Sequence, residues 1–387
     1  MSDASIPRAM RQPLSLKIAS NAFLLAWLLL AAFPLFWVLT MSFKSPVDAF
    51  SSSAWDVLIG PRTLSDGNGV SVVDIVLAIA LAWGGIKAAT RWLMPMASGE
   101  GTAQRIFSWA VIAVGFGVLF VIGFFFVLPV VAAPLEALLG PLGKPVLGLT
   151  TQHYQAVWVE NAFYENFRNS MIVTVGVVSV SLTVGTLAGY GLARSGSTFA
   201  FWILIIALIF RALPHSVLVA GYLPVFINSA EILSPILGEN APTLYGQPLA
   251  VIAVLVSINQ PFTIWMLRSF FQNIPVDLDE SARVDGCTHF QAFRWVIMPV
   301  MWPGVITTGL FSFLLAYNDF LVTSLLLDAS NQTMVPAIAG YFNRETTTTD
   351  QVEAVAAAVS ITAPLFLLVM IFQRQIVSGL TAGAVKG

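Results

Sequence analysis

Residues Asn273 to Gly304 read NIPVDLDESARVDGCTHFQAFRWVIMPVMWPG, a polar stretch between two long apolar runs. Asp277 is placed to cap a helix, with Glu280 three residues on as its capping-box partner. Gly286 falls where a left-handed residue would end that helix. Thr288 offers a second N-cap with Gln291 as partner, and Pro299 is expected to stop the second helix. Phe290, Phe293 and Ile297 recur at helical spacing as an apolar stripe. The segment thus reads as one loop carrying two short helices with a sharp turn between them. Capping alone is also compatible with a solvated loop of interfacial helices, since such boxes recur by chance.

The rest of the chain gives the loop its setting. Of 387 residues, 57% are hydrophobic and 10% are charged, too few charges to clothe a soluble fold of this size. The mean hydropathy of +0.83 agrees. The bilayer is therefore the expected solvent, and the fold class is an all-α, polytopic integral membrane bundle. The net charge of −2 gives no footing for nucleic acid, and the single cysteine, Cys287, excludes an internal disulfide or a thiolate metal cluster.

Apolar runs of spanning length occur near 18–41, 73–90, 106–132, 168–193, 199–226, 248–272, 304–327 and 352–373, which makes eight expected spans. The first run is too long for a signal-peptide core, and no small-residue cleavage site follows it. Basic residues sort by side. Arg8, Arg11, Lys17, Lys87, Arg91, Arg105, Arg194, Arg268, Arg283, Arg294, Arg374 and Lys386 fall on one side, against Lys44, Arg62, Lys144, Arg168 and Arg344 on the other. The positive-inside rule then puts both termini and the loop 273–304 in the cytoplasm.

The order Glu280-Ser281-Ala282, three residues, Gly286, nine residues, Val296-Ile297-Met298-Pro299 resembles the EAA motif of ABC importer permeases. Glu280, Ala282, Gly286 and Pro299 are in register; Ser281, Val296 and Met298 depart by conservative changes. Further stretches resemble the carbohydrate, maltose-transporter-like branch: Ser42-Phe43-Lys44-Ser45-Pro46, Gly185 to Arg194, Ala316 to Phe320 and Gly379 to Gly387. Together the matches cover about residues 14–50 and 150–387. The resemblance implies a six-span core of the type I importer kind. Its coupling helix, about 277–286, docks on a separate ATPase subunit. It also implies a heterodimer with a second permease subunit, two copies of a P-loop ATPase that carry ATP and Mg, and an extracytoplasmic solute-binding protein. The setting would be a bacterial or archaeal cytoplasmic (inner) membrane, and the solute a sugar, sugar alcohol, glycoside or glycerol phosphate. In that reading Glu280, Ser281, Ala282, Asp285, Gly286 and Pro299 serve ATPase coupling, and this chain binds no cofactor and is no enzyme. Residues 1–50 are the tail and first span, 150–387 the permease core, and 51–149 an insertion holding two extra spans. The role of that insertion the resemblance does not give.

Ionisable groups at membrane depth are costly and point to function. Arg211 and Asp319 lie about 18 Å and 22 Å from the same side by helical rise, close enough to pair. Two readings stand: an Arg–Asp bridge between helices, or a polar cavity in which Arg211, Asn318 and Asp319 bond a sugar's hydroxyls and Tyr317 stacks on its ring. Asn259 and Gln260, beside Pro261, either line the pathway or satisfy backbone freed by that proline. Gly185 and Gly189 form a small-xxx-small pair suited to close helix packing. The resemblance implies that the outer loop 328–351 reaches into the binding protein's sugar site, through Asn331, Gln332, Tyr341, Asn343 and Arg344; ordinary polar surface is the alternative.

Two other function classes have less support. A secondary active transporter would show inverted repeats and coupling carboxylates, and Asp319 alone is thin. For a membrane enzyme, His153, His215 and His289 are too scattered for a metal motif. Gly140 to Pro145 superficially suggests a P-loop, but its spacing fails and no Ser or Thr follows Lys144.

Overall fold

A computed structural model of the chain describes residues 14–88, 128–343 and 347–382, with the single positions 91 and 123. The chain falls into two compact units. One holds residues 1–88, 117–157 and 344–360, and the other 89–116, 158–343 and 361–387.

The first unit begins with α1 (Leu14–Met41), a long helix whose apolar side chains are exposed on all faces. In lipid an exposed apolar helix is stable because all its backbone groups bond internally. A small cap follows. Three short helical turns (Pro46–Ala49, Ala54–Ile59 and Pro61–Ser65) lead to β1 (Val70–Ser71), which pairs antiparallel with β2 (Pro145–Leu147). Lys44 is fully buried at its centre. Its ammonium donates to the carbonyl oxygens of Leu58 (2.8 Å) and Gly148 (2.6 Å). Burial holds its pKa down at about 8, a fall that the nearby Asp48 carboxylate partly offsets. Asp48 accepts from the Thr63 backbone N–H at 2.6 Å and the Thr63 hydroxyl at 2.7 Å. Burial raises the Asp48 pKa, but these bonds, with others from Arg62 and Ser45, outweigh it, so the net shift is downward. A ring nitrogen of His153 meets the Lys44 carbonyl at 2.9 Å. Loops separated by more than 70 residues of sequence are thus tied around one lysine.

Between the two paired strands lie α2 (Val72–Ala88) and α3 (Leu128–Leu139). The pairing of Ser71 with Pro145 brings the two ends of the segment 72–144 together. Residues 51–71 and 145–149, by contrast, hydrogen-bond into the Lys44 cap, as Ser45 N–H to Thr63 Oγ1 (2.9 Å) and Gly148 N–H to Ile59 O (2.7 Å) illustrate. Deleting 72–144 and joining Ser71 to Pro145 through an Asn-Gly turn, which suits a two-residue hairpin, is expected to leave a chain that still inserts with its later helices in unchanged orientation. Protease protection of the cap and of residues 158–343 would check this; loss of the inserted protein would count against it.

In the second unit α4 (Phe163–Ser195), α7 (Pro248–Gln272) and α9 (His289–Tyr317) form the core, with α5 (Thr198–Arg211) and α6 (His215–Ile227) against α7. Between α7 and α9 lies α8 (Asp277–Val284), and after α9 come α10 (Met334–Asn343) and α11 (Thr348–Ala382), the last shared by both units. Val173 and Val177 of α4 pack on Val251, Val254, Leu255 and Ile258 of α7, at four-residue helical spacing. Gly185 and Gly189 let α4 and α7 touch: a Cβ at Gly189 would lie 3.1 Å from the Arg268 backbone nitrogen. Close packing, the expectation for this pair, is what the structure has.

Of the eight expected spans, the described residues hold five as single helices and a sixth if the bent pair near 199–226 counts as one. Five helices among the described residues are long and apolar enough to cross: α1, α4, α7, α9 and α11. The run near 199–226 is not one rod but α5 and α6, bent by 98° around Ala212–Pro214. Proline cannot continue the α5 hydrogen-bond ladder and restricts the residue before it, so the helix restarts at His215. The run near 73–90 forms α2, shorter than the about 20 residues a span needs. The run 106–132 lies almost wholly outside the described residues, its last residues opening α3. The seventh span starts well before Gly304, at His289, and ends at Tyr317.

Candidate coupling site

α8 is held at both ends, though not as its sequence suggests. Helical geometry already begins at Asp277, with Val276 as the flanking residue, so the Asp277–Glu280 capping box does not form. The first-turn N–H groups of Asp279 and Glu280 bond instead to the Val276 carbonyl. The far end matches the expectation. Gly286 has φ +91°, its N–H bonds the Arg283 carbonyl (3.1 Å), and the Cys287 N–H bonds the Ala282 carbonyl (3.0 Å). These two bonds make a complete Schellman turn. The Thr288–Gln291 box is also complete, at 2.8 Å and 3.3 Å.

Pro299 does not stop the second helix. Residues Phe293–Ile297 form a π turn, closed by the Met298 N–H on the Phe293 carbonyl, and the helix runs on to Tyr317. The wider turn shifts the hydrogen-bond register just before a residue with no N–H to place, so proline is accommodated. The short helix after Thr288 is thereby continuous with a spanning helix. Phe293 and Ile297 are buried among Leu267, Phe271, Ile274, Met301 and Val305, while Phe290 is exposed. Glu280, Arg283, Val284, Cys287, Thr288 and His289 line an open depression beside α8, where Val284 is 88% exposed. A rigid turn presenting a bare valine among charges is suited to docking against another protein.

The residues that seat α8 were not anticipated. Asp279 receives the Tyr190 hydroxyl at 2.7 Å and Arg194 Nε at 2.7 Å. The other Arg194 nitrogens donate to the carbonyl oxygens of Phe271 (3.3 Å) and Ile274 (3.2 Å), at and just beyond the end of α7. The only sequence signal was a basic residue in the last turn of α4, where carbonyl groups are free to accept.

The intramembrane residues are placed apart. Arg211 does not pair with Asp319: its guanidinium lies 4.8 Å from the centroid of the Phe262 ring, and its buried Nε has no hydrogen-bond partner among the described residues. Asp319 accepts instead from the Thr323 N–H at 2.9 Å. Tyr317 is buried, stacked on Phe313, with its hydroxyl on the Ile361 carbonyl at 2.7 Å, so it has no free face for a sugar ring. Asn318 is exposed and bonds its own helix at the Leu314 carbonyl. Asn259, 1% exposed, donates to Ser312 (2.7 Å) and Thr263 (3.1 Å), tying α7 to α9 rather than facing a path. Gln260 reaches the Ser181 carbonyl of α4 at 3.3 Å, and its Oε1 has no partner among the described residues. Past the end of α9, the Asn331 amide donates to the Gly246 carbonyl (2.9 Å) and the Gln332 carbonyl accepts from Asn166 (2.9 Å); Tyr341 is buried. Those three stabilise the fold. Asn343 ends α10, and Arg344 lies outside the described residues.

These features define a multi-pass helical membrane protein with a short, exposed, capped helix joined to its core by an ion pair. The chain belongs to the binding-protein-dependent transport system inner membrane component family, whose pattern matches residues 181–381. It is 33% identical over 241 residues to the diacetylchitobiose uptake system permease protein DasC of Streptomyces coelicolor, covering 62% of this chain and 82% of that protein. It is 30% identical over 241 residues to the trehalose transport system permease protein SugB of Mycobacterium tuberculosis, covering 62% and 83%. Among solved structures it is similar to a bacterial ABC transporter involved in the import of the acidic polysaccharide alginate, with TM-score 0.48 and 17% identity over 71% of this chain and 98% of that one.

Proposed function

We propose that the chain is the permease subunit of an ATP-driven, binding-protein-dependent importer of a sugar or sugar-like solute. It would act in a bacterial or archaeal inner membrane. The observation that carries the reading is α8. Its Schellman turn at Gly286 sits in the register of the EAA motif, and the depression beside it suits a groove-and-knob contact with an ATPase subunit. The carbohydrate class is supported by what DasC and SugB are named for.

In this reading the chain pairs with a second permease subunit. Two copies of a P-loop ATPase bind ATP and Mg on the cytoplasmic side, and a solute-binding protein delivers the sugar outside. The chemistry then belongs to the ATPase subunits, and this chain supplies motion. Its work is to shift between inward- and outward-facing states according to which partners are engaged. Each partner moves that equilibrium only by its differential affinity for the two states. Glu280, Ser281, Ala282, Asp285 and Gly286 form the contact, and Pro299 lies just past the π turn that leads into the spanning helix.

The test is reconstitution of the chain with a second permease subunit, an ATPase and a binding protein from the same organism. Labelled trehalose, diacetylchitobiose and maltose would be offered in turn. Uptake that requires both ATP and the binding protein is the expected outcome. Uptake driven by an ion gradient without ATPase subunits would replace this reading with a secondary transporter.

A further inference from the structure

The proposed function needs a docked helix, but docking alone moves nothing. A loop tethered only by its chain ends would swing about Pro275 and Gly286 and absorb a push. What prevents this is the group of Tyr190, Arg194 and Asp279. Asp279 lies in the first turn of α8 and is 9% exposed. Its two carboxylate oxygens are each taken by a different α4 side chain, Tyr190 and Arg194, both at 2.7 Å. The same guanidinium holds the carbonyl oxygens of Phe271 and Ile274, so one side chain fixes α4, the end of α7 and α8 relative to one another. The Tyr190 ring extends the joint to the fourth element: it lies 5.5 Å from the Phe271 ring and 4.8 Å from the Phe293 ring, centroid to centroid, and Phe293 opens the π turn of α9.

We infer that Arg194 and Asp279 are positioning residues for transport, converting displacement of α8 into displacement of α4, α7 and α9. The argument is geometric. A guanidinium bonded at once to a carboxylate and to two carbonyls is fixed in direction as well as distance, because its donors lie in a rigid plane. An apolar contact of the same size would hold α8 as firmly but let it slide. The direction of a push is what must survive for a knob to work a lever. The ion pair is also sheltered, with the two side chains 17% and 12% exposed, so salt screens it little.

This inference rests on the importer reading, and one experiment separates their failures. The full complex, with its ATPase subunits and binding protein, is reconstituted in proteoliposomes, and solute taken up is measured per ATP hydrolysed. Asp279→Asn and Arg194→Lys are compared with wild type. Arg194→Lys keeps the charge but loses the planar fork, and so guards against a trivial folding defect. Both variants are expected to assemble with the ATPase and to hydrolyse ATP. Solute per ATP should fall about tenfold or more, the size expected from loss of one charge-assisted hydrogen bond at the joint. Tyr190→Phe should fall less, because its bond is neutral on the donor side. Variants that keep the wild-type ratio overturn the inference, and so do variants whose uptake falls only in step with the amount of assembled complex. A wild-type chain that shows no ATP-dependent uptake overturns the importer reading, and the inference with it.

Discussion

Replacing Gly286 by proline is expected to abolish ATP-driven uptake while the chain still inserts in the membrane. At φ +91° the backbone is in the left-handed region, and a Cβ there would meet nothing within 4 Å. The effect of a substitution is therefore conformational, with no steric clash to confuse it. A non-glycine residue in this region costs about 1–2 kcal/mol. Proline cannot reach it at all, since its ring fixes φ near −65°. It also removes the N–H that bonds the Arg283 carbonyl, and with the turn broken the Cys287 N–H loses Ala282. α8 then has no fixed exit, and Cys287 and Thr288 leave the depression that Glu280 and Arg283 share. The series Asn, Ala, Val, Pro at this position should show uptake falling in that order, because asparagine tolerates the left-handed region best. Uptake per inserted molecule, from labelled solute and quantitative blotting, checks it. A proline variant within twofold of wild type would remove the turn from the mechanism.

Sequence showed the parts of this site whose partners are a few residues away. The Thr288–Gln291 box and the left-handed Gly286 depend on spacing alone, and both are present as read. Pattern failed where a local rule competed with distant contacts. Asp277 has a capping residue's chemistry but already lies inside the helix, and the acidic residue that matters, Asp279, is claimed by Arg194, 85 positions earlier. The depths counted for Arg211 and Asp319 took straight spans starting near 199 and 304, but the seventh span starts at His289 and ends at Tyr317, before Asp319. Height above the membrane edge says nothing about which face a side chain occupies, and α5 ends at Arg211 in a sharp bend. Tyr317 carried the same ambiguity between a sugar's ring and another helix's carbonyl, and the contact with Ile361 decides it. The Lys44 cap was invisible for a related reason. Its acceptors at Leu58 and Gly148 are backbone groups, which leave no mark in the sequence.

The largest effect on stability is expected from Gly189→Leu. The stretch Gly185 to Arg194 contains three glycines, and the structure separates their roles. A Cβ at Gly185 would lie 2.6 Å from Thr263 Cγ2, and one at Gly189 would lie 3.1 Å from the Arg268 backbone nitrogen and 3.4 Å from the Ile264 carbonyl; at Gly191 nothing lies within 4 Å. Overpacking costs about 1–3 kcal/mol when side chains can yield. At Gly189 the neighbour is main chain of α7, so the helices must part instead. Parting them there strains the next turn, where Tyr190 and Arg194 reach α8 and the end of α7. One substitution therefore weakens both the core of the second unit and the seat of the coupling helix. Gly189→Leu should lower the thermal midpoint of the detergent-solubilised chain sharply. Gly189→Ala should show part of the effect, and Gly191→Leu almost none. Equal loss at Gly189 and Gly191 would mean that general helix propensity, not the α4–α7 contact, sets the stability of this stretch.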